Sequence, residues 1–149
     1  MLKTENKSVW IGKVKRLGLE GYAIEILPKL GIHEENETEE LKLIASHPEN
    51  IAEIEKTENK SIWVGKVKTL RLEEHTVKIF TKLRFHGETE MEELSLLAHD
   101  AEYIAEILKA ESRSIWIGKV KALRLEGYAV KTLTKLRIHR ENKMDSLGL

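Results

Sequence analysis

The sequence predicts an α/β repeat protein in which short strands alternate with short helical segments. Three observations carry this. A six-residue pattern, apolar–x–x–Leu–x–Leu with Thr once in first place, returns at Val14, Thr38, Val67, Met91, Val120 and Met144, at intervals of 24, 29, 24, 29 and 24 residues. Trp10, Trp63 and Trp116 mark a longer period of 53, each in the frame Ser-x-Trp-x-Gly-Lys-Val-Lys, and His33, His86 and His139 mark it again. Between the strand patterns the apolar residues recur at helical spacing. Self-similarity at a fixed period is the sequence signature of a repeat architecture.

Within each strand, side chains alternate between two faces. Leu70 and Leu72 therefore share the inward face, and Lys68 and Arg71 are left for the outward one. The 29-residue units continue into a helix, Ala101 to Lys109 in the second of them, with Asp100 suited to the N-cap. The first such unit has Pro48 at the first helical position, where the missing N–H costs nothing. Glu49 and Glu102 sit in the first turn and Lys56 and Lys109 near the last, as the helix dipole favours. Ile104, Ile107 and Leu108 form an apolar stripe, matched by Ile51 and Ile54. The 24-residue units carry something shorter. Their apolar residues recur every three positions (Val77, Phe80, Leu83), which fits a single turn or a 3-10 segment.

These strand signatures resemble the leucine-rich repeat family, and the resemblance covers essentially the whole chain. The run Ile104-Ala105-Glu106-Ile107-Leu108-Lys109-Ala110 looks like the helix-bearing, ribonuclease-inhibitor-like class, and Leu27-Pro28-Lys29-Leu30 looks like the shorter class. The resemblance implies a solenoid of about five repeats, with a parallel β-sheet on the concave face and helices or 3-10 turns on the convex face. One departure stands out. The family places Asn or Cys three residues after the second strand leucine, whereas this chain has Tyr22, Ser46, His75, His99 and Tyr128 there.

The 149 residues allow one domain, 1–149. Aligning Trp10 with Trp116 sets Leu2-Lys3 on the tail of a helix, and the last residue, Leu149, is a strand leucine. No amphipathic cap is evident at either end, although solenoids normally need one. The expectation is a segment of a longer array, or ends that self-associate. Lys+Arg and Asp+Glu both number 25, so no general charge draws the chain to nucleic acid or an anionic membrane. No apolar run approaches the ~18 residues of a membrane span. With no cysteine and no signal-like N-terminus, the expected setting is intracellular, cytoplasmic.

Outward strand positions are the candidate site. The second position reads Lys15, Glu39, Lys68, Glu92, Lys121, Asp145, alternating in sign. It reads either as a charged recognition surface or as a self-neutralising ladder between neighbouring strands. Lys42, Arg71 and Arg124 hold the fifth position; Ile44, Glu73, Leu97 and Glu126 follow the second leucine. Arg71, Arg124, Ile44 and Leu97 lack an evident pairing and suit a binding face. Tyr22 and Tyr128 fall at the rim, as contact residues or as turn packing. The Trp column serves either as a stacking strip or as filling for the longer unit's core.

No metal or cofactor site is expected. The three matched histidines are two strands apart, roughly 10 Å, whereas zinc ligands lie about 2.0–2.1 Å from one ion. No nucleophile–base set and no Gly-rich phosphate loop appears, so an enzyme is not expected. Asn6-Lys7-Ser8, Asn36-Glu37-Thr38 and Asn59-Lys60-Ser61 match the N-glycosylation acceptor pattern, which matters only in a secreted chain. The function this implies is a protein–protein interaction module that binds a partner protein through the concave strands. Two alternatives remain: a substrate-recognition segment of a larger enzyme such as a ubiquitin ligase, and a structural or designed array with no dedicated ligand.

Overall fold

The computed structural model describes residues 14–30, 32, 36–86, 88–139 and 141–149. Trp10, His33, Leu2-Lys3 and the Asn6 acceptor pattern lie outside the described residues, and the side chain of Val14 with them. The fold is α/β. Among the described residues, eight parallel strands form one sheet: β1 (Val14–Glu20), β2 (Glu37–Ala45), β3 (Ile62–Glu74), β4 (Leu83–Phe85), β5 (Glu90–Ala98), β6 (Ile115–Gly127), β7 (Leu136–Ile138) and β8 (Ser146–Gly148). The main ladder runs β1-β2-β3-β5-β6, with β8 also on β6. The short strands β4 and β7 pair instead with the first residues of β3 and β6.

The six-residue pattern sets the register. Leu17, Leu41, Leu70, Leu94, Leu123 and Leu147 are successive cross-strand partners along the ladder, and Leu19, Leu43, Leu72, Leu96 and Leu125 form a second row. Leu41, Leu43, Leu70, Leu72, Leu94, Leu96, Leu123 and Leu125 are buried. Val67 is buried too, three residues before Leu70, so the alternation slips by one and leaves Lys68 exposed beside Thr69. Only at β8 do the leucines stand open, with Leu147 50% exposed.

The inward leucines pack against the connecting segments. In the 24-residue units these are 3-10 helices, Gly21–Lys29, His75–Lys82 and Tyr128–Lys135, as the three-residue spacing predicts. Ile24, Leu27, Val77 and Phe80 enter the core from them. The 29-residue units differ from the single helix expected. A 3-10 turn (Pro48–Ile51; Ala101–Ile104) leads into one α-turn, α1 (Ala52–Glu55) or α2 (Ala105–Leu108). The cause is local: Tyr103 N–H bonds back to Asp100 C=O, an i→i+3 closure, and the Asp100 carboxylate accepts from Glu102 N–H at 2.9 Å. Ile104 and Ile107 are buried, but Leu108 drops out of the expected stripe and is exposed.

Gly118, at φ +73°, lies where β6 passes from the short ladder to the main one. A Cβ there would lie 2.7 Å from the Thr89 carbonyl oxygen, so the bend excludes a side chain. Gly65 stands at the equivalent point of β3 with φ +69°.

Candidate functional site: the outward sheet face and its C-terminal rim

Equal pattern positions become neighbours on the sheet. Lys15, Glu39, Lys68, Glu92, Lys121 and Asp145 are all exposed. None of them forms an ion pair with another; among the described residues the cross-strand ion pairs are Arg16–Glu40 at 3.8 Å and Lys119–Glu90 at 3.6 Å, in other columns. At about 4.7–4.9 Å between strands, the alternation is a row of solvated charges rather than a series of closed bridges. Lys15, Glu39 and Lys68 border a shallow groove of about 520 Å³ at the N-terminal ends of the strands, with Lys66, Glu88 and Glu90.

The fifth and seventh positions correct the sequence reading. Arg71 and Arg124 are not unpaired: Arg71 Nε donates to Glu73 at 2.7 Å and Arg124 Nε to Glu126 at 2.9 Å, each two residues along the same strand. Residues two apart share a face, so the guanidinium finds a carboxylate without crossing strands. Lys42 is half-buried and pairs in register with Gly18 and Arg71. Leu97 is not an exposed anchor. It is only 8% exposed, because its partners in register are Glu73 and Glu126, each tied to an arginine. Ser95, between Arg71 and Arg124, is buried as well. Ile44, on the other side of Glu73, stays half-buried.

Tyr22 and Tyr128 are exposed at the rim, 68% and 41%, with Lys131 Nζ 5.4 Å from the Tyr128 ring centre. Between them the rim departs from the repeat. Gly21-Tyr22-Ala23 and Gly127-Tyr128-Ala129 flank a middle copy that reads Glu74-His75-Thr76. His75 is buried, 6% exposed, and packs edge-on against Tyr103 at 4.5 Å. Its Nδ1 has no hydrogen-bond partner among the described residues. Burial, and then the Lys78 charge, lower its pKa below the usual histidine value. Glu74 accepts from His99 Nδ1 at 2.6 Å, and burial together with Glu74 raises the Tyr103 pKa. Lys78 is buried and donates to Glu102 at 2.8 Å.

Sequence reasoning missed this cluster, because a search for the period discards what breaks it. Comparing the three copies for their differences is the signal that finds it. Thr76 was missed in the same way. Its buried hydroxyl donates at 2.8 Å to the carbonyl of Leu43 on the neighbouring strand, or to that of Glu73 at 2.8 Å. It thus ties the turn to backbone carbonyls one residue after the column where the resemblance leads one to expect Asn or Cys.

Trp63 and Trp116 are not core filling. Ile62 and Val64 take the inward positions on either side of Trp63, and Ile115 and Ile117 do so around Trp116, so alternation turns both indoles outward, half-buried. His86 and His139 shape turns: their Nδ1 atoms accept from Glu88 N–H at 2.9 Å and Glu141 N–H at 3.0 Å. Asn36 is buried, which does not suit a glycan acceptor. Among the described residues no group of three or more His, Asp or Glu is placed to hold a metal ion, and no helix is long and apolar enough to cross a membrane. Comparison with family models, with curated proteins and with solved structures finds no match for this chain.

Proposed function

We propose that the chain is a leucine-rich-repeat solenoid that binds a partner protein through the outward face of its parallel sheet and the adjoining rim. One observation carries this reading: every member of the alternating column from Lys15 to Asp145 is exposed, and its members form no ion pairs with one another. Charges left solvated in a fixed row give a partner electrostatic register and specificity. Supporting it are the in-register parallel ladder, helical segments that follow β1, β2, β3, β5 and β6, and a rim whose middle copy departs from its neighbours. Neither metal nor cofactor enters this function, and the chain acts by recognition rather than catalysis. A reducing, intracellular compartment suits its lack of cysteine.

The test is an affinity capture from extract of the source cells, read by mass spectrometry. The wild-type chain runs beside Lys68→Glu with Lys121→Glu, both shown folded by circular dichroism. These two lysines are exposed, so the reversal leaves the core untouched. The expected outcome is a protein retained by the wild type and lost by the variant. Identical retention by both would sink the reading.

A further inference from the structure

Tyr22, His75 and Tyr128 hold one place in the three 53-residue copies. The residue before each has the same backbone: Gly21, Glu74 and Gly127 stand at φ +65°, +62° and +65°. Yet Tyr22 is exposed and His75 is buried. The neighbouring unit changes with it. His75 meets Tyr103, whereas the first copy has Asn50 where the second has that tyrosine. One place in the repeat is thus seen with its ring exposed and with its ring covered, and the cover is the Tyr103 ring, 4.5 Å away and edge-on.

The covered site has no partner for a second ring proton. A neutral imidazole has one donor nitrogen and one acceptor, and the protonated ring has two donors. Nδ1 of His75 is buried with no hydrogen-bond partner among the described residues. Protonation therefore places a cation with an unpaired donor in a buried position, which the packed arrangement disfavours. Neither nearby carboxylate reaches Nδ1. Glu74, at the end of β3, is engaged by His99 at 2.6 Å, and Glu102 accepts from Lys78 at 2.8 Å. Lys78 lies on the same 3-10 helix as His75, with Nζ 6.0 Å from the Tyr103 ring centre, so a cation already sits beside the ring. Burial and then Lys78 lower the His75 pKa, while Glu102, Glu74 and Glu55 of α1 act to raise it. Tyr103 in turn faces Glu74, Asp100 and Glu102.

We infer that the His75–Tyr103 contact is an acid-released latch: on taking up a proton from solvent, His75 leaves Tyr103 for an exposed position such as Tyr22 has in its own copy. The middle of the rim then presents a cation in the row with Tyr22 and Tyr128, and one face of Tyr103 is uncovered. The release is local, and the leucine rows stay packed. It is a property of the rim's packing and stands or falls apart from the partner-binding reading.

Proton NMR of the whole chain between about pH 8 and pH 5 tests this, a range that spans the usual histidine titration. Circular dichroism follows the fold over the same range. At the alkaline end, nuclear Overhauser contacts between the ring protons of His75 and Tyr103 are expected. They should vanish as the His75 ring titrates, with a midpoint below about 6.5, while contacts between Leu72 and its register partner Leu96 persist. His75→Phe can pack on Tyr103 but gains no proton, so its Tyr103 resonances should stay constant. His99→Gln should keep the wild-type response. Contacts that persist with the ring protonated, no His75 titration in the folded chain, or unfolding of the whole chain at the same midpoint overturns the proposal. So does a Tyr103 response that survives His75→Phe or is abolished by His99→Gln. The wild-type contacts decide the matter even where a variant does not fold.

Discussion

His99 Nδ1 lies 2.6 Å from a carboxylate oxygen of Glu74, and Glu74 holds this contact from a backbone at φ +62°. The flanking copies have glycine there, Gly21 and Gly127, both at φ +65°. At Gly127 a Cβ would also run into the Ala98 carbonyl oxygen, whereas at Gly21 the space is open, so what the two copies share is the backbone that favours glycine. A side chain at such φ costs on the order of 1–3 kcal/mol, and a contact this exposed returns only about 0–1 kcal/mol. The strain therefore exceeds the local gain, which marks the rim as a place where the fold tolerates a cost. Glu74→Gly is expected to be more stable than Glu74→Ala by about 1–2 kcal/mol in urea denaturation, since alanine loses the carboxylate and keeps the strain. Equal stability of the two would mean that no strain is stored there.

His75 predicts a dependence on acid. Its pKa is lowered in the folded chain by burial and by Lys78, with Glu102 and Glu74 acting in the opposite sense. As pH falls through the unfolded value of about 6.5, the unfolded state takes up the proton first, so stability falls. Well above that pH both states are neutral at this residue and the contribution is constant. His75→Tyr, the residue of the flanking copies, should flatten the part of the stability profile between about pH 7.5 and pH 5.5 that the wild type shows. Profiles of identical slope would assign the acid sensitivity elsewhere.

The outward face separates Leu97 from Ile44. Leu97 is buried between Glu73 and Glu126, whereas Ile44 is half-buried. Leu97→Ala should cost about 2 kcal/mol, near the low end for a core leucine, and Ile44→Ala less than about 1 kcal/mol. Chemical denaturation of the two variants decides it, and the reverse order would restore Leu97 to the exposed face.

In the core, Leu72 is fully buried and lies in register with Leu43 and Leu96. Leu72→Ala is expected to cost about 2–5 kcal/mol, seen as a lowered urea midpoint with an unchanged slope. An unaltered midpoint would contradict the packing of the leucine rows.

Much of the fold was legible because it rests on local repetition. The interval between leucines fixed which residues become cross-strand partners, and every pairing from Leu17 to Leu147 follows it. The three-residue spacing of Val77, Phe80 and Leu83 announced a single turn or a 3-10 segment, and the latter is what forms. The site was less legible. Arg71, Arg124 and Leu97 were placed on the correct face, but their partners were not foreseen. The Trp column was left open between a stacking strip and core filling, although Ile62 and Val64 already held the inward positions around Trp63.

By itself, the sequence determined the inward leucine rows and the helical connections, because each depends on side-chain period within a few residues, while the parallel pairing was what the family resemblance implied. Only the tertiary structure decided which charges close on one another, that Leu97 is roofed by its neighbours, and that Glu74, His75, Lys78, His99, Glu102 and Tyr103 meet at one rim. Those outcomes depend on side chains about 25 residues apart in sequence being stacked one strand spacing apart. Exposure and pairing there are properties of the stack and not of any single strand.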